Sequence, residues 1–131
     1  MNLLLNLGIT EQEIMSMLEQ YSFLKELSHK EIMDKIAILK YVNCQDRHIK
    51  NIIVSNPSFL DRLDTDIIKL IQKLFSLKIT NLNLLFDTNP YLLNKDDYEI
   101  DNYIKEQLKE GKLLENIIDE FESNPYIIDE I

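Results

Sequence analysis

Asparagine followed by proline and a short apolar run occurs three times, as Asn56-Pro57-Ser58-Phe59-Leu60, Asn89-Pro90-Tyr91-Leu92-Leu93 and Asn124-Pro125-Tyr126-Ile127-Ile128. These are the only prolines in the chain, and they stand 33 and 35 residues apart. A weaker copy, Tyr21-Ser22-Phe23-Leu24, precedes Pro57-Ser58-Phe59-Leu60 by about the same interval. A period near 35 residues predicts stacked helical units, each burying its apolar side against its neighbours.

The residues ahead of each proline keep the same step. Four before stand Ile53, Phe86 and Phe121, and eight before stand Ile49, Leu82 and Ile117. Those offsets share one face of a helix. Between Leu113 and Phe121, for example, Leu114, Ile117, Ile118 and Phe121 form a single stripe with acids opposite. Proline disfavours helical geometry in the residue before it and lacks the amide proton a continuing helix needs, so each helix is expected to stop at the asparagine. Asparagine suits a left-handed helix end and can bond exposed backbone groups. The apolar pair after the proline is expected to plug the groove beside the helix just ended. Asn56, Pro57, Asn89, Pro90, Asn124 and Pro125 are therefore read as structural corners.

A longer helix is expected after each corner. Ser28-His29-Lys30-Glu31 and Asp96-Asp97-Tyr98-Glu99 have capping-box spacing, and Asp64 or Thr65 is expected to cap the segment between them. Their core residues read Ile32, Ile36 and Leu39, then Ile67, Ile71 and Leu74, then Ile100, Ile104 and Leu108. Thr10-Glu11-Gln12-Glu13 opens the first unit by the same device, after a stop at Gly8. Only two glycines interrupt a chain in which 40 of 131 residues are leucine or isoleucine. The expected fold is all-α: one domain forming a short solenoid of about four helix-corner-helix repeats, with no sheet and with its handedness open. Its units span approximately residues 9–43, 44–78, 79–111 and an incomplete 112–131.

The phrase and its period resemble the repeats of the mitochondrial transcription termination factor family, built from two helices and a short turn with a proline and an apolar pair at the junction. The matching residues are Pro57 with Phe59-Leu60, Pro90 with Leu92-Leu93, and Pro125 with Ile127-Ile128. Leu5-Asn6-Leu7-Gly8 and Leu108-Lys109-Glu110-Gly111 resemble that family's glycine at the end of the second helix. The resemblance implies a curved helical superhelix and, in many members, binding of double-stranded DNA or RNA along a basic groove.

Charge points elsewhere. Residues 1–80 carry ten basic and ten acidic side chains, whereas residues 81–131 carry four and thirteen, so the net charge of −9 belongs to the C-terminal part. Aligned second helices give the columns Asp34, Lys69, Asn102 and Ile38, Lys73, Glu106, in which no basic residue recurs. The leading expectation is thus a non-enzymatic interaction module whose acidic C-terminal units contact a protein partner through Asp97, Asp101, Glu115, Asp119, Glu120 and Glu122. The alternative is a nucleic-acid-binding regulator using Arg47, Lys50, Arg62, Lys69 and Lys73 of the central repeats. A third candidate partner is a second copy of the chain, meeting Tyr126, Ile127, Ile128 and Ile131.

No catalytic constellation is expected. Cys44 and His48 lie one helical turn apart, but no second Cys/His cluster exists to complete a metal site, and a helix start with Asp46 in its first turn accounts for the stretch. His29 reads as an exposed first-turn residue. Residues 94–105 lack the glycine and glutamate of a calcium loop, and Gly111-Lys112 lacks the frame of a phosphate loop. No cofactor is expected. The lone Cys44 and the absence of any apolar run of membrane-span or signal-peptide length give a cytoplasmic, soluble protein as the expectation.

Overall fold

The computed structural model describes residues 2–129. Its eight α-helices are α1 (Asn2–Asn6), α2 (Glu11–Gln20), α3 (His29–Tyr41), α4 (Asp46–Ser55), α5 (Asp64–Ser76), α6 (Leu82–Thr88), α7 (Asp97–Lys109) and α8 (Leu114–Ser123). Four 3-10 turns, Ser22–Glu26, Pro57–Asp61, Pro90–Asn94 and Ile127–Asp129, follow α2, α4, α6 and α8. No strand is present among the described residues. Each corner is therefore a helical turn in its own right, started by the fixed φ of proline where proline is present.

Like elements stack on like. The long helices α3, α5 and α7, together with the five-residue α1, form one layer, the shorter helices α2, α4 and α6 a second, and the first three corner turns a third. The faces turned between the layers are the apolar columns read from the sequence: Ile49, Leu82 and Ile117, and Ile53, Phe86 and Phe121, are all buried. The corner pairs Phe59-Leu60 and Leu92-Leu93 are buried as well. Each such side chain contributes about 1.5–3 kcal/mol by leaving water.

The corner asparagines do not adopt the left-handed conformation. Asn56, Asn89 and Asn124 have φ of −137°, −129° and −140°, and Tyr21 takes the same conformation at −136°. Their identity comes from the next repeat instead. Asn56 Nδ2 donates to the Pro90 carbonyl (3.0 Å) and Asn89 Nδ2 donates to the Pro125 carbonyl (3.1 Å), so fully buried amides stitch one corner to the next. Asn56 also exchanges hydrogen bonds with Asn94 and accepts one from Ser58, whereas the buried Asn89 Oδ1 has no donor among the described residues. The repeat explains that difference: the position of Ser58 is held by Tyr91 in the next unit, and that of Asn94 by Asp129.

The left-handed residues are found at the other junction. Gly8, Asn43, Lys78 and Gly111 have φ of 91°, 68°, 68° and 90°, each closing a helix of the α1, α3, α5, α7 layer. In every case the following amide bonds back five residues, as in Ile9 to Leu4, Cys44 to Leu39, Ile79 to Leu74 and Lys112 to Gln107. This is the Schellman arrangement, in which an apolar contact between those two residues is usual. In the last copy the pair is polar, and Lys112 Nζ reaches Gln107 Oε1 (2.5 Å). The register thus places buried Gln107 in the column of Leu39 and Leu74, and Leu108, expected in the core, is 45% exposed.

Two capping boxes form as expected, at Thr10 with Glu13 and at Ser28 with Glu31. Asp96 accounts for its half through a backbone N–H donated to Glu99 (3.2 Å). α5 departs from expectation: Leu63 occupies the cap position without a side-chain bond, and Asp64 is the first helical residue. Asp64 is turned to the preceding repeat, where Lys35 Nζ lies 2.6 Å away.

Candidate functional site

Most chemistry suggested by Cys44 and His48 is consumed by structure. The His48 ring is buried and its Nδ1 accepts the Gln45 backbone N–H (3.0 Å), standing where Glu13 caps the preceding unit. Burial pushes the Cys44 thiol up to about 12, and Asp87 adds to the rise. A thiol so protonated is a poor nucleophile. No cluster of metal-ligating side chains occurs among the described residues, and none of their helices is long and apolar enough to cross a membrane.

Charged side chains divide into those that join repeats and those that do not. Lys35 pairs with Asp64, Lys73 with Asp101 (2.9 Å) and Lys95 with Asp129 (2.8 Å), each bridging successive units. Arg62 donates to the Leu93 carbonyl (2.7 Å) and to Asp96. In the short-helix layer Asn51 Nδ2 donates to both the backbone and the carboxylate of Asp87. Each layer therefore has its own polar tie to the next repeat, added to the apolar contact.

These ties sort the basic residues named from the sequence. Arg62 is nearly covered and committed, and Lys73 is held by Asp101. Lys50 lies 3.8 Å from Glu13, while Arg47 is exposed with its Nε on Gln45 (3.3 Å). Lys69 is exposed and lines a polar groove between α5 and α7 with Gln72, Lys73, Ser76 and Asp97. The five do not converge: Arg47 and Lys50 belong to the short-helix layer, Arg62 follows a corner, and Lys69 and Lys73 lie on a long helix.

Another set is concentrated on one layer. Among the described residues Lys25, Lys40, Arg47, Lys69, Lys78, Lys105 and Lys109 make no ion pair, and all are exposed. Five of them, Lys40, Lys69, Lys78, Lys105 and Lys109, belong to the long helices or the turns that close them. Cations are favoured near helix C-termini by the macrodipole, and parallel stacking sets those ends side by side. Density along the sequence hid this set, because Lys40, Lys78, Lys105 and Lys109 come from three different repeats. Their common signal was position within the repeat.

On the same layer an apolar groove of about 370 Å³ runs between α3 and α5, walled by Ile38, Tyr41, Ile68, Ile71 and Phe75. Tyr41 is 77% exposed, and Ile68 and Phe75 are open to solvent as well.

The acidic set divides in the same way as the basic one. Asp97 and Asp101 lie on α7, where Asp101 holds Lys73. Glu115, Asp119, Glu120 and Glu122 lie on α8, where Glu120 meets Lys112 (3.3 Å). At the C-terminal corner Tyr126 donates its hydroxyl to the Thr88 carbonyl (2.7 Å), and Ile127 and Ile128 are half-buried against the core. Ile131 lies outside the described residues.

Residues 1–119 match the sequence model of the family described as mTERF. No curated protein and no solved structure matches the chain.

Proposed function

Because the chain belongs to the mTERF family, whose helical-repeat members generally bind nucleic acid, we propose that it binds nucleic acid through the face of its long helices, by contact rather than catalysis. The observation that carries this reading is that unpaired Lys40, Lys69, Lys78, Lys105 and Lys109 all belong to that one layer, while other cations are spent between repeats. Phosphates seat on such free cations with release of counterions, so binding weakens with salt in proportion to the contacts made. The expected site moves from Arg62 and Lys73 to this set, with Lys69 common to both.

Fluorescence anisotropy with labelled DNA and RNA across a salt titration tests the proposal. Lys69→Ala and Lys105→Ala are each expected to reduce the slope of log affinity against log salt by about one. Arg47→Ala, on the short-helix layer, should leave it unchanged. Absence of binding to every oligonucleotide at low salt overturns the reading. The acid-rich α8 supports a second one, a basic protein partner, which the first would displace if the same titration showed nucleic-acid affinity.

A further inference from the structure

The repeats allow an internal comparison that separates what the scaffold needs from what it does not. At equivalent places in successive long helices stand Met33, Ile68 and Asp101, then Tyr41, Ser76 and Lys109. The third unit stacks with Asp101 and Lys109 at these outward places, so the fold does not require apolar residues there. Yet α3 and α5 present Tyr41, Ile68 and Phe75 to solvent along one groove, and Met33 is exposed on α3 as well.

We propose that this groove receives unpaired bases of a single-stranded nucleic acid, Tyr41 and Phe75 supplying stacking surfaces. The inference rests on the nucleic-acid reading above and specifies its substrate class. Complementary charge identifies the occupant as anionic: Lys40 adjoins Tyr41, and Lys78 follows Phe75 by three residues in the turn that closes α5. Both are unpaired and exposed, as is Lys69 on the far side of α5. A duplex keeps its base faces stacked internally, so only an unpaired strand can offer them to a side chain. The net charge of the whole chain opposes an anionic ligand, so attraction of another kind is needed. At −9 the chain is a poor holder of a polyanion by charge alone, and stacking supplies attraction that its charge opposes.

The test compares three probes of equal length by anisotropy at fixed salt: a single strand, prepared as DNA and as RNA; its duplex; and an abasic strand with the same phosphates. The single strand is expected to bind most tightly, and the abasic strand about tenfold more weakly. Tyr41→Ala and Phe75→Ala should each lower single-strand affinity about tenfold with an unchanged salt slope, and Tyr41→Phe should retain it. Far-ultraviolet circular dichroism confirms that these exposed sites tolerate replacement. Equal binding of intact and abasic strands, or of single strand and duplex with no effect of Tyr41→Ala, overturns this inference and leaves the nucleic-acid reading standing. Failure of all probes to bind overturns both.

Discussion

Asn56→Ala isolates the polar joint between the second and third repeats. The side chain is fully buried and takes part in four hydrogen bonds: two donated to the Pro90 carbonyl (3.0 Å) and Asn94 Oδ1 (3.2 Å), two accepted from Ser58 (2.6 Å) and Asn94 (3.2 Å). Asn94 is exposed and Ser58 partly so, and both recover partners from water on truncation. The carbonyl of buried Pro90 does not, and loses its donor at a cost of about 1–3 kcal/mol, with roughly 1 kcal/mol more for the remaining bonds. The expected total is about 2–4 kcal/mol, read as a lower midpoint in urea unfolding followed at 222 nm. Asn89→Ala should cost less, because Asn89 makes two bonds and its Oδ1 is already without a donor among the described residues. Asn124 is exposed and, among the described residues, its side chain accepts just the Tyr126 amide (3.3 Å), so its replacement should cost under about 1 kcal/mol. A result in which Asn56→Ala and Asn124→Ala are equal would refute the claim that the asparagine is selected by the neighbouring corner and return the choice to local turn propensity.

Lys78→Gly relieves a left-handed backbone at φ 68° and is expected to stabilise the protein by about 1 kcal/mol in the same assay, with Asn43→Gly giving less because asparagine tolerates that region. Cys44 should resist iodoacetamide at pH 8 in the folded protein and react on unfolding. Its pKa rises from an ordinary 9.0 to about 12, so its stabilising contribution is complete below pH 9 and is lost as pH climbs toward 12. Cys44→Ala should remove that share of the alkaline decline, and an identical pH dependence in the variant would show that burial does not govern the thiol.

The repeat period was legible because it is written in proline, whose covalent geometry leaves few choices, and in apolar columns that must face a core. Ile53, Phe86 and Phe121 were placed by spacing alone. What escaped notice depends on neighbours about 35 residues away. The corner asparagine looks like a local helix stop, and only the stacked fold shows its amide meeting Pro90 or Pro125. In the last long helix Ile100 and Ile104 hold their expected columns, and only the third member differs, because Gln107 breaks the apolar column and Leu108 is the adjacent apolar residue. Asp64 looked like a cap until Lys35 supplied a partner from the preceding unit. For the same reason the basic residues most visible in the sequence, Arg62 and Lys73, are the ones least free to bind anything else.

This use of charge reconciles an acidic chain with an anionic ligand. An acid placed on one repeat to hold a cation of the preceding repeat cancels that cation, so the pair adds nothing to the net charge or to the field at a distant phosphate. Asp64, Asp96, Asp101 and Asp129 are all engaged in this way. The surplus acids include Glu115, Asp119 and Glu122 on α8 in the last unit, whereas unpaired Lys40 adjoins Tyr41 and unpaired Lys78 follows Phe75 by three residues, at the groove between α3 and α5. At physiological ionic strength screening acts over about 8 Å, so a ligand in that groove responds chiefly to the lysines beside it. Lowering the salt lengthens that range and brings α8 into play. Removing the acids of α8 should therefore strengthen binding most at low salt and hardly at all at high salt, opposite to the pattern for a direct contact made by those acids.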